Sequence, residues 1–256
     1  MKRAFAIAAH PDDIEFLMAG TLLRLKHSGC EIHYMNISSG ACGTAVLSPE
    51  ETIRTRRREA QEAAATIGAI YHESIAEDLL IFYEKKTLAK LAAVVREAAP
   101  EILLLQSPND YMEDHQNTTR LAVTAAFSRN MKNFITDPPR DITMQEVTIY
   151  HAQPYGNRDP LRQVIMPEIF VDITDVLDEK TRMLACHRSQ KIWLDESQGM
   201  DSYLLSMKDM CREIGEFSGI YRYAEGWRRR LHYGFCSEHA DPLSEALKQF
   251  ITHRNP

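Results

Sequence analysis

The sequence predicts an α/β fold, in which a Rossmann-like parallel sheet is flanked by helices on both faces and followed by an irregular C-terminal portion. Two observations predict it. Strand-like and helix-like segments alternate through the first half of the chain, and the strand-like segments are continuously apolar. Such strands are typical of parallel sheets that are covered on both faces. Residues 1–256 are expected to form a single domain, because no linker is evident and α/β folds of about 250 residues are common.

The first half of the chain contains most of the expected elements. Strands are expected at residues 3–9, 31–37, 69–72 and 101–106, and helices at residues 15–28, 48–67, 88–98 and 118–131. The helix at 48–67 has the clearest start, because Ser48 is a good N-cap, Pro49 suits the first turn and Glu51 completes a capping box.

The second half is less regular. Strands are expected at residues 147–153 and 169–173. A helix is expected from Thr174, as its N-cap, to about His187, and another at residues 200–217.

Composition and charge exclude several classes of protein. The 256 residues are 44% hydrophobic and 26% charged, which is typical of a globular chain. The net charge of −6 disfavours nucleic acid as a partner, since phosphate binding requires concentrated Lys and Arg. No segment approaches the about 18–20 apolar residues that span a bilayer, so no membrane partner is expected. The five cysteines form no CxxC pair and suit a reducing, cytoplasmic location.

Metal-ligand side chains follow two of the expected strands. The first strand is followed by His10, Asp12 and Asp13, and the strand at 101–106 by Asp110, Glu113, Asp114 and His115. The carboxyl ends of parallel strands meet at one edge of a sheet, where ligands bind. Two histidines and one carboxylate with an open position form a normal catalytic zinc set. An acidic turn that merely caps a helix is the alternative, but two such loops at one edge favour a metal site.

These motifs resemble those of a known family. The sequence AHPDDIE at 9–15, followed by AGTL at 19–22, resembles the signature of the LmbE/PIG-L zinc-dependent N-acetylglucosamine deacetylases. Similar motifs follow in order, namely SGACGT at 39–44, Arg56-x-x-Glu59, DYMEDH at 110–115, HRSQ at 187–190 and YAEG at 223–226. Together they extend over about residues 4–230. A nicotinamide site is disfavoured, because no GxGxxG follows the first strand.

The resemblance implies a role for each residue at the expected site. It implies that His10, Asp13 and His115 bind Zn2+, with Fe2+ or Co2+ as alternative metals, and that Asp12 is the general base. Asp114 is expected to orient an imidazole from outside the ligand set.

Two residues are expected to contact the substrate, Arg56 and His187. The alternative for Arg56 is a solvated helix face, where it would pair with nearby glutamates. The implied activity is removal of the N-acetyl group from an N-acetylglucosamine-type amino sugar or its conjugate. The implied protein is a homo-oligomer.

One position departs from the family pattern. The first His of the family's His-x-x-His pair falls on Met112, which has no N–H to stabilise an oxyanion or protonate an amine. Tyr111, His151 and His187 are the candidates to replace it. The departure keeps two alternatives open, hydrolysis of another small amide and a non-catalytic sugar-binding or metal-binding protein.

Overall fold

The computed structural model describes residues 1–190 and 203–254, in which one mixed sheet of eight strands is flanked by helices. The strands are β1 (Arg3–Ala8), β2 (Glu31–Asn36), β3 (Ile70–His72), β4 (Ile102–Leu105), β5 (Thr148–Ala152), β6 (Ile169–Asp172), β7 (Ala224–Arg229) and β8 (Ile251–His253). The α-helices are α1 (Asp13–Leu17), α2 (Ala19–His27), α3 (Pro49–Thr66), α4 (Lys85–Ala98), α5 (Glu113–Phe127), α6 (Leu177–Leu184), α7 (Tyr203–Ser218) and α8 (Pro242–Ala246).

The order of the strands places the expected metal site at a switch point. The order is β3-β2-β1-β4-β5-β7-β6-β8. The first five strands in this order are parallel to one another. From β1 the chain first builds outward through β2 and β3, and then returns to add β4 on the other side. The crevice between the carboxyl ends of β1 and β4 is therefore the position at which ligands bind in open α/β sheets. The predicted α/β class is confirmed.

Two hydrophobic cores explain why the central strands are continuously apolar. Along β1, Ala4, Ala6 and Ala8 pack into one core, and Phe5 and Ile7 pack into the other. The first core includes residues of α1, α2, α3, α6 and α7, and the second lies under α4 and α5. Because both faces of the strand are covered, neither face carries polar residues.

The C-terminal strands extend the sheet in the antiparallel direction. β7 pairs with β5 and with β6, and β6 pairs with β8. The side chain of Glu225 on β7 fixes this extension, since it accepts hydrogen bonds from the backbone N–H groups of Gly20 (2.8 Å) and Thr21 (2.7 Å) in α2. The fully buried Lys180 donates to the same carboxylate (2.5 Å) and neutralises it. Strand β7 is thus bound to the helix that follows the expected metal site.

Several sequence expectations need correction. The helix expected at 15–28 is two helices, separated at Met18, whose φ of −134° is not helical. Thr174 is not an N-cap, because its side chain donates to the carbonyl of Tyr223 and a short 3-10 turn precedes α6. The helix expected at 118–131 begins earlier, at Glu113, so His115 lies in its first turn. Residues 200–202 lie outside the described part of the chain.

None of the helices in residues 1–190 and 203–254 has both the length and the hydrophobicity to cross a membrane.

Gly20 is predicted to be essential for packing although it lies within helix α2. Replacing a helical glycine by alanine normally stabilises a helix by about 1 kcal/mol. A Cβ at Gly20, however, would lie 2.5 Å from Cγ2 of Ile173 and 2.9 Å from Oε1 of Glu225. We expect Gly20→Ala to lower the free energy of unfolding by about 1–3 kcal/mol through overpacking. Urea denaturation measures this, and His27→Ala on the exposed end of α2 is the control. Equal or greater stability of Gly20→Ala would contradict the packing argument.

Candidate metal centre

Three expected ligands converge at the switch point between β1 and β4. His10, Asp13 and His115 each offer one ligand atom, and these atoms lie within 4.8 Å of one another. Oδ2 of Asp13 lies 3.4 Å from Nδ1 of His10 and 3.4 Å from Nε2 of His115. The three residues follow the carboxyl ends of β1 and β4, which are neighbours in the sheet although they are far apart in the sequence.

The backbone after β1 is held in an uncommon conformation. Asp12 has φ of +111°, which side chains with a Cβ rarely adopt. The turn is fixed on both sides, since Asn36 donates its amide to the carbonyl of His10 (2.7 Å) and the N–H of His10 donates to Oδ2 of Asp13 (2.7 Å). Such strained residues cluster at functional sites, where surrounding contacts hold them. The turn directs Asp12 and Asp13 to different partners.

A carboxylate outside the group orients each imidazole. Oδ2 of Asp114 lies 3.0 Å from Nε2 of His10, and Oδ1 of Asp110 lies 2.9 Å from Nδ1 of His115. A carboxylate accepts hydrogen bonds, so these ring nitrogens carry the hydrogens. The opposite nitrogens, Nδ1 of His10 and Nε2 of His115, both face Asp13 and are left to bind a metal. Asp114 therefore orients His10. The buried Asp110 orients His115, which is the residue after Asp114.

The electrostatics of the group favour a cation. Burial lowers the pKa of His10, but its hydrogen bonds to Asp114 and Asp13 outweigh burial and raise the pKa to about 10. Burial also lowers the pKa of His115, and the charges of Asp13 and Asp110 raise it overall. The two imidazoles and the carboxylate of Asp13 are a donor set that fits a divalent metal such as zinc, and Asp110 and Asp114 add negative charge around it.

Asp12 lies beside the ligand group but has different partners. It is 8% exposed, and the hydroxyl of Tyr203 donates to its Oδ2 (2.6 Å). Its Oδ1 lies 3.7 Å from Nη2 of Arg56. Burial raises the pKa of Asp12 overall, while Arg56 and Tyr203 act in the opposite direction. The carboxylate is thus held outside the ligand group by the hydrogen bond from Tyr203 and the ion pair with Arg56.

Arg56 contacts the protein's own backbone. It is 2% exposed, and its guanidinium donates to the carbonyls of Pro11 (2.5 Å) and Gly40 (3.2 Å). A Cβ at Gly40 would lie 2.7 Å from Arg56, and one at Gly43 would lie 2.4 Å from it. The glycines of the loop after β2 therefore make room for this side chain. That Arg56 contacts the substrate stays a prediction.

His187 is fully buried behind Asp12. Its Nε2 lies 3.1 Å from Oε2 of Glu15, which also accepts the hydroxyl of Tyr34. Burial lowers the pKa of His187, but Glu15 and Asp12 raise it overall. A substrate contact of His187 stays a prediction as well.

Aromatic rings line the approach to the metal group. Tyr111 is 57% exposed, and its ring stands edge-on to that of His115 with 5.7 Å between centroids. Tyr155 is also exposed, and its ring lies 6.1 Å from Tyr111. Sequence reasoning missed Tyr155 and Tyr203, because no motif contains them. It noted Asp110 without assigning it a partner, although its place five residues before His115 was a usable signal.

Residues 5–126 match the family model described as PIG-L, GlcNAc-PI de-N-acetylase. These residues are a PIG-L family domain. The match includes β1, the turn that follows it and His115, so every expected metal ligand lies within this PIG-L domain.

Relatives of the PIG-L domain include two kinds of enzyme. The sequence is 27% identical to a diacetylchitobiose deacetylase of Thermococcus kodakarensis over 244 residues, which cover 89% of this chain and 83% of the relative. The structure is similar to that of a diacetylchitobiose deacetylase from Pyrococcus horikoshii, with a TM-score of 0.71, 26% identity and coverage of 90% and 84%. It is also similar to a 4-carboxy-2-hydroxymuconate hydratase from Pseudomonas putida, with a TM-score of 0.67, 26% identity and coverage of 90% and 96%.

The orienting carboxylates are predicted to control metal affinity. Asp110→Asn and Asp114→Asn keep the size of each side chain but remove the charge that polarises the imidazole. Loss of such partners typically lowers metal affinity about 10–100-fold. Competition for zinc against a coloured chelator measures the change. Glu113→Gln, at an exposed residue in the first turn of α5, is the matched control and should bind zinc like the wild-type protein. Unchanged affinity in both aspartate variants would show that these carboxylates do not support the site.

Proposed function

We propose that this PIG-L protein is a zinc-dependent hydrolase that removes the N-acetyl group from an N-acetylglucosamine-type amino sugar or its conjugate. The observation that carries the proposal is the group of His10, Asp13 and His115. The carboxylate of Asp12 lies next to this group but is not one of its members. Similarity to diacetylchitobiose deacetylases supports the class of substrate.

The proposed mechanism gives one role to His10, Asp13 and His115 and a different role to Asp12. His10, Asp13 and His115 would hold a divalent metal, which would supply a Lewis acid and lower the pKa of water. Asp12 takes a proton from the attacking water, because it is a carboxylate that does not serve as a ligand. The water oxygen bonds to the carbonyl carbon, the C–N bond breaks and the proton passes to the departing nitrogen. The products are acetate and a free amino sugar.

The amino-sugar class also fits the surroundings of the metal group. The exposed rings of Tyr111 and Tyr155 present apolar faces with polar hydroxyls, which suit a sugar ring with its mixed surface. A homo-oligomer and a cytoplasmic location remain predictions from the sequence, as does the single domain.

Hydration of an unsaturated carboxylic acid is the second candidate. The Pseudomonas putida hydratase is as similar in identity as the deacetylase of known structure, at 26% in each case. Met112 supplies no proton donor, whereas amide hydrolysis requires that the leaving nitrogen be protonated. Adding water to a double bond releases no amine, so product analysis separates the two reactions.

The test uses the zinc-loaded protein with N,N'-diacetylchitobiose and other N-acetylglucosamine conjugates. Equal amounts of acetate and free amine should appear. Water addition to 4-carboxy-2-hydroxymuconate, with no amine released from any conjugate, would replace the proposal with the hydratase function. Bound zinc with neither reaction would leave a metal-binding protein.

Asp12 and Asp13 should differ in what they support. We expect Asp13→Ala to lose zinc and activity together, since a ligand is removed. Asp12→Asn should retain zinc and lose activity by about 10²–10⁴-fold, since general-base catalysis contributes that much. Metal analysis of the purified variants, beside acetate release, measures both properties. Equal loss of zinc in the two variants would show that their roles are misassigned.

Tyr111 is expected to replace the donor that Met112 lacks. Of the three candidates, His187 binds Glu15 and His151 binds the carbonyl of Gln106, whereas Tyr111 lies beside His115. Partial burial and the charge of Asp13 raise the pKa of Tyr111, so its hydroxyl keeps its proton.

Tyr111→Phe should therefore lower kcat by about 10²–10³-fold, as loss of an oxyanion donor does. Met112→His should be neutral or harmful, because the donor role is already filled. Steady-state kinetics test both, with Tyr83→Phe on the exposed loop before α4 as control. A large gain from Met112→His with no loss from Tyr111→Phe would show that the position is a gap in the catalytic set.

A further inference from the structure

Two arginines lie beside a buried histidine at the junction of β5 and β7. His151 and Arg228 are directly opposite each other in the antiparallel pair, so their side chains lie on the same face of the sheet. Arg230 directly follows the last residue of β7, and its hydrogen bond to Nε2 of His151 places it beside the same side chain. The face is the one covered by α4 and α5, since Ile149 beside His151 packs into the core beneath those helices.

His151 does not add a third positive charge. Its Nδ1 lies 3.0 Å from the carbonyl oxygen of Gln106 and must carry a hydrogen, while Nη1 of Arg230 donates to its Nε2 (3.3 Å). This arrangement requires the neutral imidazole. Burial lowers the pKa of His151 to about 4, in agreement with the hydrogen bonds. The imidazole positions Arg230 and leaves its remaining N–H groups available.

The two guanidiniums have no counter-charge among the residues that the structure describes. In residues 1–190 and 203–254, no carboxylate lies within the 4.0 Å ion-pair distance of Arg228 or Arg230. Arg228 donates to the hydroxyl of Ser107 (3.0 Å), but its buried Nε has no acceptor there. The charge of Glu168 interacts with Arg228 electrostatically, but the two side chains do not form an ion pair. Arg228 is partly buried, and removing a guanidinium from water without a counter-charge is costly, whereas Arg230 beside it is exposed. An anion that contacts both side chains would supply the missing charge.

We propose that Arg228 and Arg230 form an anion-binding subsite for a carboxylate or phosphate group on the aglycone of the substrate. β5 and β7 are two and three strands from β1, so at about 4.8 Å per strand the subsite is displaced about 10–14 Å across the sheet from the strand that leads to the metal group. That separation places the anion beyond the sugar that carries the acetamide. The assignment to substrate rests on the proposed deacetylase function, whereas the binding of an anion does not.

The kinetic test uses a matched pair of substrates, N-acetylglucosaminides whose aglycone ends in a carboxylate or in the corresponding carboxamide. The wild-type protein should have a KM at least about tenfold lower for the carboxylate, since a charge-assisted hydrogen bond accounts for that factor. Arg230→Gln and Arg228→Gln should remove this preference through KM, with kcat and the carboxamide KM unchanged. Added salt should reduce the preference, because it screens exposed charges.

Arg229→Gln is the control, because Arg229 lies on the same strand but faces the opposite side of the sheet and is exposed. It should keep the preference for the carboxylate. Equal KM values for the two substrates in the wild-type protein would overturn the proposal, as would a loss of preference in Arg229→Gln equal to that in Arg230→Gln. Arg230 is exposed, so its variant carries the test even where Arg228→Gln does not fold.

A direct measurement separates this subsite from the proposed function. Inorganic phosphate is titrated into the zinc-loaded protein by calorimetry, with no reaction required. Binding to the wild-type protein and to Arg229→Gln, with at least about tenfold weaker binding to Arg230→Gln, supports the subsite even if no conjugate is deacetylated. No binding, or equal binding to all variants, rejects it even if deacetylation is observed.

Discussion

The hydrogen bond between Asp114 and His10 is the interaction on which the rest of the site depends. It joins the turn after β1 to the first turn of α5, which are 104 residues apart. The same Oδ2 atom accepts the N–H of Leu79 (2.7 Å), so a third loop is bound to the carboxylate. One buried side chain thereby orients the imidazole of His10. It also joins three segments, namely the turn after β1, the loop that contains Leu79 and the first turn of α5. The positions of Asp13 and His115 depend on that of His10, because Asp13 lies between the two histidines.

The central part of the fold was predictable from the sequence. Parallel strands with both faces covered leave a continuous apolar signal, and β1, β2, β4 and β5 were all located to within about two residues, as was the antiparallel β6. The motif after β1 and the motif around His115 indicated a shared site because topology requires that neighbouring parallel strands end at one edge. These predictions needed no knowledge of distant contacts.

The C-terminal strands and the partners of the site residues were not predictable in this way. β7 pairs with strands far away in sequence and ends in two arginines, so its pattern resembles no buried strand. Tyr203 reaches Asp12 across 191 positions, and nothing in its local sequence indicates that contact. The sequence also suggested Arg56 as a substrate contact, whereas its hydrogen bonds to two backbone carbonyls depend on loops that only the folded chain brings together.

The backbone conformation of Asp12 affects which substitutions evolution would favour at this position. A residue with a Cβ at this φ costs about 1–3 kcal/mol, and glycine there would release that cost. Stability and catalysis therefore act in opposite directions at one position, because the side chain that strains the turn is the one proposed to accept the proton. A lineage released from the need for the reaction would gain by exchanging this aspartate for glycine. Glycine at this place, with the histidines retained, would mark a descendant that had kept its metal and abandoned its chemistry.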